Sequence, residues 1–187
     1  MLTQNDFLKN VVEKLQMAGI DYVICGSVAA SFYGITRSTI DTDIIIDPTS
    51  QQLTKFIELL GNEYYVSNEA AFEALQHSVM FNVIDIENSF KADLIIRKQT
   101  EFSAEEFRRK RKQKLLGKEL YVLSPEDSIL SKLVWAKENR SEQQYNDVMR
   151  ILDACAESLD MKYLNQWAKT LKVWDDLKKC LSQIEQK

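Results

Sequence analysis

The sequence predicts an α/β protein in which a sheet-containing region, residues 1–123, is followed by a helical region, residues 124–187. In the first region, short apolar runs typical of buried strands alternate with segments whose apolar residues recur every three or four positions. In the second region the helical spacing continues almost to the C-terminus. No Pro-rich or Gly/Ser-rich linker separates the two regions, so we expect residues 124–187 to pack on residues 1–123 as one unit.

The composition indicates an ordinary globular protein. Its 187 residues suit one compact domain, and 45% apolar with 28% charged residues is a typical mixture. A net charge of −4 does not indicate a globally basic nucleic-acid binder. No segment approaches the ~20 apolar residues of a membrane span, and the N-terminus has no basic-then-apolar pattern. Three widely spaced cysteines form no disulfide framework, so we expect a reducing, cytoplasmic setting without membrane contact.

The elements of the first region follow from apolar periodicity and from turn residues. Gly19, Gly34 and Gly61 are each placed to end a helix, and Asp47 with Pro48 is placed to begin one, with Asp47 as the N-cap. The predicted elements are, in order, a helix ending before Gly19, a strand at 21–25, a turn at 26–27, a short helix at 28–33, a strand at 42–47, a helix from 48 to 60, strands at 64–66, 79–86 and 92–96, a helix at 103–112 and a strand at 119–123.

The helical region begins at a well-formed helix start. Ser124 is the expected N-cap, Pro125 occupies the first helical position, and Asp127 supplies an acid at the third. Four apolar stripes follow at helical spacing, beginning at Ile129, Val148, Leu159 and Val173.

Three acids stand out in the sheet region. Asp41 and Asp43 are two residues apart at the start of an apolar strand, so their side chains point to the same face. Such close carboxylates repel unless a cation lies between them, and Mg²⁺ prefers oxygen ligands of this kind. Asp93 also belongs to a predicted strand, with apolar residues directly after it, and the three acids converge if the two strands pair. The alternative is that the acids merely solvate a strand edge.

The segment from Gly26 to Asp43, GSVAASFYGITRSTIDTD, resembles the nucleotidyltransferase motif of the DNA polymerase β superfamily. It is most similar to the branch that contains AbiEii-type toxins and many small bacterial proteins. The similarity covers residues 26–47 well and continues weakly through Asp93 and residues 125–152.

The resemblance implies an α/β nucleotidyltransferase fold, with a small mixed sheet flanked by helices and a helical C-terminal part. It implies Mg²⁺- or Mn²⁺-dependent transfer of an NMP group from an NTP such as ATP to a hydroxyl. The acceptor would be RNA such as tRNA, a protein or a small molecule. The resemblance also allows a cognate toxin or antitoxin as a binding partner. A non-catalytic nucleotide-binding, antitoxin or interaction protein on the same fold is the alternative.

Individual roles follow from the same resemblance. Gly26 and Ser27 would hold the triphosphate, because glycine lets backbone N–H groups approach phosphate. Arg37 would support the loop or contact phosphate, unless it is a simple surface arginine. Asp41 and Asp43 would bind the metal. Asp93 would be a third ligand or the base that accepts a proton from the acceptor hydroxyl.

Two residues of the helical region are further candidates. Lys132 lies among apolar neighbours, and related families have a lysine here that is expected to face the nucleotide phosphates. Asp147 matches an acid of the same families. The alternatives are a lysine whose stem lies along the core and a helix-surface carboxylate.

The remaining motifs are less informative. The basic run from Arg108 to Lys114 is either a solvated face or a docking patch for an RNA acceptor. His77 is the single histidine, which disfavours a zinc site or a Ser-His-Asp triad. The sequence has no Walker-type phosphate loop and no kinase motif.

Overall fold

A computed structural model of the chain describes residues 2–35, 41–115 and 117–185. The chain falls into two compact units: unit 1 comprises Met1–Val28 and Ser38–Val122, and unit 2 comprises Ala29–Arg37 and Leu123–Lys187. How residues 124–187 pack on residues 1–123 stays a prediction. In the part of the chain that is described, no helix combines the length and the apolar character that crossing a membrane requires.

Unit 1 is built on a mixed seven-stranded sheet with the order β3-β4-β5-β2-β1-β7-β6. Strand β2 pairs antiparallel with β1 and parallel with β5, and β7 pairs parallel with β1. This confirms the predicted fold class, although the sheet is larger than expected. The strands are β1 (Asp21–Ile24), β2 (Asp41–Asp47), β3 (Tyr64–Tyr65), β4 (Met80–Asp85), β5 (Lys91–Ile96), β6 (Arg111–Leu115) and β7 (Lys118–Val122).

The helices of unit 1 bury apolar stripes that the sequence predicts. The first helix places Phe7, Val11 and Leu15 fully inside the core and ends at Gly19, whose left-handed backbone forms the C-cap. The helices are α1 (Gln4–Ala18), α3 (Ser50–Leu60), α4 (Asn68–His77) and α5 (Glu101–Arg109), and α2 (Gly26–Ser31) begins here and continues into unit 2.

Unit 2 contains the long helices of the C-terminal region. Ser124 caps the first of them as predicted, and its hydroxyl donates to Asp127 Oδ2 at 2.6 Å. The other oxygen of this fully buried carboxylate accepts from the Tyr163 hydroxyl, also at 2.6 Å. The helices are α6 (Pro125–Asn139), α7 (Glu142–Ala154), α8 (Met161–Thr170) and α9 (Trp174–Glu185), with a 3₁₀ turn at Ala156–Ser158.

Three local predictions are wrong. Thr49, and not Asp47, caps α3, because Thr49 forms a capping box with Gln52 while the Asp47 carboxylate pairs with Arg97 Nε at 2.7 Å. The short helix predicted at 28–33 begins two residues earlier, at Gly26. The helix predicted at 103–112 ends at Arg109, and the residues after Lys110 form β6 instead. Helix α4 was not predicted.

We expect Tyr163→Phe to lower the free energy of unfolding by about 1.5–3 kcal/mol, because it removes a hydrogen bond to a buried carboxylate. Urea unfolding measured by circular dichroism tests this. The matched control is Tyr145→Phe, which loses a hydrogen bond to Asp176 at a more exposed site in the same unit and should cost less. An equal cost for the two variants would contradict the structural role of Asp127.

Candidate active site

The predicted acids lie on one face of the sheet where β2 and β5 run parallel. Asp43 is in register with Asp93, and Asp41 is in register with Lys91. Residues two apart on a strand share a face, so all four side chains project from the same side. The pairing on which convergence of the three acids depended is therefore confirmed.

Lys91 lies between two of the acids. Its Nζ is 3.3 Å from Asp41 Oδ1 and 3.2 Å from Asp93 Oδ1. From the neighbouring strand β4, Asn82 Nδ2 donates to Asp93 Oδ1 at 2.6 Å. Asp93 is thus held by two side chains, and only 11% of its own side chain is exposed, against 50% for Asp41.

The environment of Lys91 stabilises its charged form. Partial burial favours the neutral amine, but the hydrogen bonds and negative charges of Asp93 and Asp41 outweigh burial, so the pKa of Lys91 is raised above its ordinary value. At neutral pH the face therefore holds one firmly protonated lysine among three acids.

Gly26 brings the start of α2 directly against Asp43. The Cys25 amide donates to the Asp43 carbonyl at 2.9 Å, and Gly26 itself has φ of +63°. A Cβ added at Gly26 would lie 2.9 Å from Asp43 Cγ and would collide with Oδ2. Only glycine fits this close approach, which explains why glycine precedes the acids in the motif.

The other predicted site residues have different positions. Ser27 follows Gly26 and is half-buried. Arg37 lies outside the described residues. Lys132 belongs to unit 2, where it is buried and its Nζ donates to Asp147 Oδ2 and to Gln144 Oε1, each at 2.9 Å. The helix-surface alternative for Asp147 is wrong, because this carboxylate is buried.

The donor set fits a hard divalent cation in its chemistry. Three carboxylates on one face offer the oxygen ligands that Mg²⁺ and Mn²⁺ prefer. Among residues 2–35, 41–115 and 117–185, however, no group of three or more His, Cys, Asp or Glu side chains is arranged to hold a metal. The Lys91 ammonium lies between two of the three carboxylates, those of Asp41 and Asp93.

The basic run is largely engaged within unit 1. Arg108 pairs with Glu105 on α5, Lys110 pairs with Asp21, and Lys112 Nζ is 3.3 Å from Glu119 Oε2. These ion pairs favour the interpretation of a solvated face over that of a dedicated RNA patch.

Sequence reasoning missed Lys91 and Asn82 as members of the site. The signal for Lys91 was present, because it stands two residues before Asp93 on the same strand and must share its face. Asn82 had no such signal, since its place beside Asp93 depends on the antiparallel pairing of β4 with β5.

Comparison with known proteins identifies the fold. No family model and no curated protein matches the chain. Among solved structures, the chain is similar to ANT(2")-Ia in complex with adenylyl-2"-tobramycin, with a TM-score of 0.62 and 15% identity over 91% of this chain and 98% of that one. It is also similar to an antigenic nucleotidyltransferase-like protein from Paracoccidioides brasiliensis, with a TM-score of 0.59 and 14% identity over 96% and 92% of the two chains.

A further similar structure is the lincosamide antibiotic adenylyltransferase LnuA with lincomycin bound, with a TM-score of 0.54 and 12% identity over 77% and 93% of the chains. The chain therefore has the fold of nucleotidyltransferase-like proteins. At this level of identity the likeness extends to the fold alone, and the AbiEii-type branch stays a prediction.

We expect Gly26→Ala to lower stability by about 1–2 kcal/mol through its left-handed backbone and by about 1–3 kcal/mol more through the collision with Asp43. The control is Gly19→Ala, whose φ of +75° also lies in the left-handed region and whose added Cβ would make only an ordinary contact, 3.5 Å from Gln52 Nε2. Urea unfolding of both variants separates the two effects. Equal losses would show that Gly26 does not constrain Asp43.

Proposed function

We propose that this protein is a divalent-metal-dependent nucleotidyltransferase, which moves a nucleoside monophosphate from an NTP to a hydroxyl group. The observation that supports it most directly is the in-register placement of Asp43 beside Asp93, with Asp41 on the same face. The backbone of Gly26 lies against Asp43, which is where the resemblance expects the triphosphate. The fold shared with ANT(2")-Ia and LnuA supports the same activity class.

Each residue has a proposed role in this reaction. Asp41 and Asp43 would hold Mg²⁺ or Mn²⁺, which when bound neutralises the triphosphate and makes the α-phosphorus easier to attack. Gly26 and Ser27 would bind phosphate oxygens through backbone N–H groups and the serine hydroxyl. Arg37, which lies outside the described residues, would add a positive charge.

Asp93 has two compatible roles. It would complete the ligand set, or it would accept the proton of the attacking hydroxyl. Asn82 bonds one oxygen of its carboxylate and so fixes the orientation of the group. In either role a fixed carboxylate is an advantage, because positioning contributes much of the rate in phosphoryl chemistry.

The acceptor class is proposed from charge and from the similar enzymes. The ion pairs within the basic run leave less positive charge for an RNA backbone, so we favour a small hydroxylated molecule or a protein side chain over tRNA. The two antibiotic enzymes have names or complexes that indicate small-molecule acceptors. A role within an AbiEii-type toxin–antitoxin pair remains part of the proposal, and growth arrest on expression of the active form alone would support it.

A second candidate is a non-catalytic nucleotide-binding or antitoxin protein on the same fold. One observation favours it: the described residues contain no group of three or more His, Cys, Asp or Glu side chains arranged to hold a metal, and Lys91 bridges two of the acids. This candidate expects saturable NTP binding without transfer to any acceptor, and it expects Asp43 to be dispensable.

The activity is tested with each α-³²P-labelled NTP, Mg²⁺ or Mn²⁺, and separate RNA, protein and small-molecule extracts. We expect label in one fraction with wild-type protein and at least about 100-fold less with Asp43→Ala, since the metal interaction supplies several kcal/mol. The melting temperature should be unchanged or higher, because a like charge is removed.

The matched control is Asp47→Ala, which removes a carboxylate from the same face of the same strand and should keep the activity. Loss of label in both variants together would indicate general damage to β2. Retained label with Asp43→Ala would contradict the proposed role of the acids.

Lys132→Met should destabilise the protein by about 3–5 kcal/mol, because it leaves Asp147 charged and buried without its lysine. The double variant Lys132→Met, Asp147→Leu should recover most of this loss in urea unfolding. If Lys132 also binds phosphate as proposed, the stable double variant will still bind ATP more weakly in calorimetry. Wild-type ATP affinity would reduce Lys132 to a structural residue.

A further inference from the structure

Lys91 places a positive charge on the acidic face. The Lys91 ammonium lies 3.3 Å from Asp41 Oδ1 on β2 and 3.2 Å from Asp93 Oδ1 on its own strand. It is placed there by register, because Lys91 is directly opposite Asp41 in the parallel pair. The chain therefore supplies, between Asp41 and Asp93, a positive charge such as a bound metal would supply.

The two ends of this bridge differ in how firmly they are held. Asp93 is largely buried and is fixed by Asn82, whereas half of the Asp41 side chain is exposed to solvent. About a third of the Lys91 side chain is exposed, and its four-carbon stem is flexible. The contact to Asp41 is thus the one that opens most easily, since exposed ion pairs are weak and screened.

We propose that Lys91 is the resident counter-ion of this face, and that its ammonium releases Asp41 when a divalent cation binds there. Lys91 lowers the repulsion among the acids while no divalent cation is bound, and it competes with that cation for Asp41. The inference rests on the proposed function for the choice of Mg²⁺ or Mn²⁺ as the cation.

The proposal predicts an unusual gain of metal affinity on removing a charge. A unit charge about 5 Å from a divalent ion in a water-like medium changes its affinity on the order of tenfold. We therefore expect Lys91→Met to bind Mn²⁺ on the order of tenfold more tightly than wild type.

The experiment is a Mn²⁺ titration of nucleotide-free protein, with free Mn²⁺ followed by electron paramagnetic resonance. The control is Lys112→Met, which removes another lysine with a cross-strand carboxylate 3.3 Å away but lies on β6 and away from the acids. Its Mn²⁺ affinity should equal that of wild type. Lys91→Gln, which keeps a polar side chain, provides a second variant and should also bind Mn²⁺ more tightly.

Melting temperatures give an independent measurement. Without divalent ions, Lys91→Met should melt below wild type, and saturating Mn²⁺ should raise its melting temperature more than that of wild type. Equal or weaker Mn²⁺ affinity in both Lys91 variants would overturn the proposal, and so would the absence of Mn²⁺ binding in every protein.

The label-transfer assay separates this inference from the proposed function. Tighter Mn²⁺ binding by Lys91→Met with no transfer by wild type would support the counter-ion and reject the enzyme. Transfer by wild type with unchanged Mn²⁺ affinity in the variants would reject the counter-ion and keep the enzyme.

Discussion

The parallel pairing of β2 with β5 determines the position of every acid in the candidate active site. Its register is set on the opposite, buried face, where Ile44 faces Leu94 and Ile46 faces Ile96. A slip of one residue would turn these apolar side chains to solvent and the acids into the core. The packing of the hydrophobic core therefore fixes the geometry of the polar face. It holds the acids near one another although their charges repel.

Keeping three like charges together has a cost that neighbouring groups reduce. Lys91 supplies a positive charge and Asn82 a hydrogen bond. Lys91 is positioned by the pairing of β2 with β5, and Asn82 by the pairing of β4 with β5. The arrangement is typical of functional sites, where a local choice that is poor for stability is retained and offset by its surroundings.

The sequence predicts what depends on neighbours in the chain and fails where distant contacts decide. The shared face of Asp41 and Asp43 follows from strand geometry alone. Asp47 was mistaken for a helix cap because its true partner, Arg97, is 50 residues away. Strand β6 was missed because four of its five residues are polar or charged, as expected of an edge strand, so that it lacks an apolar signal. The Lys132–Asp147 pair joins two helices and has no sequence period.

Both candidate functions use the same acidic face. They differ in whether the Lys91 ammonium releases Asp41. Under the proposed function Asp41 and Asp43 share a divalent cation, and the Lys91–Asp41 contact opens. Because Asp41 is half exposed, breaking its contact with Lys91 costs little free energy, while Asp93 stays bound to Asn82. A lysine that moved aside would remain on the face, beside Asp93. Under the proposed function, the more exposed Asp41 end of the bridge is therefore the end that a divalent cation would take.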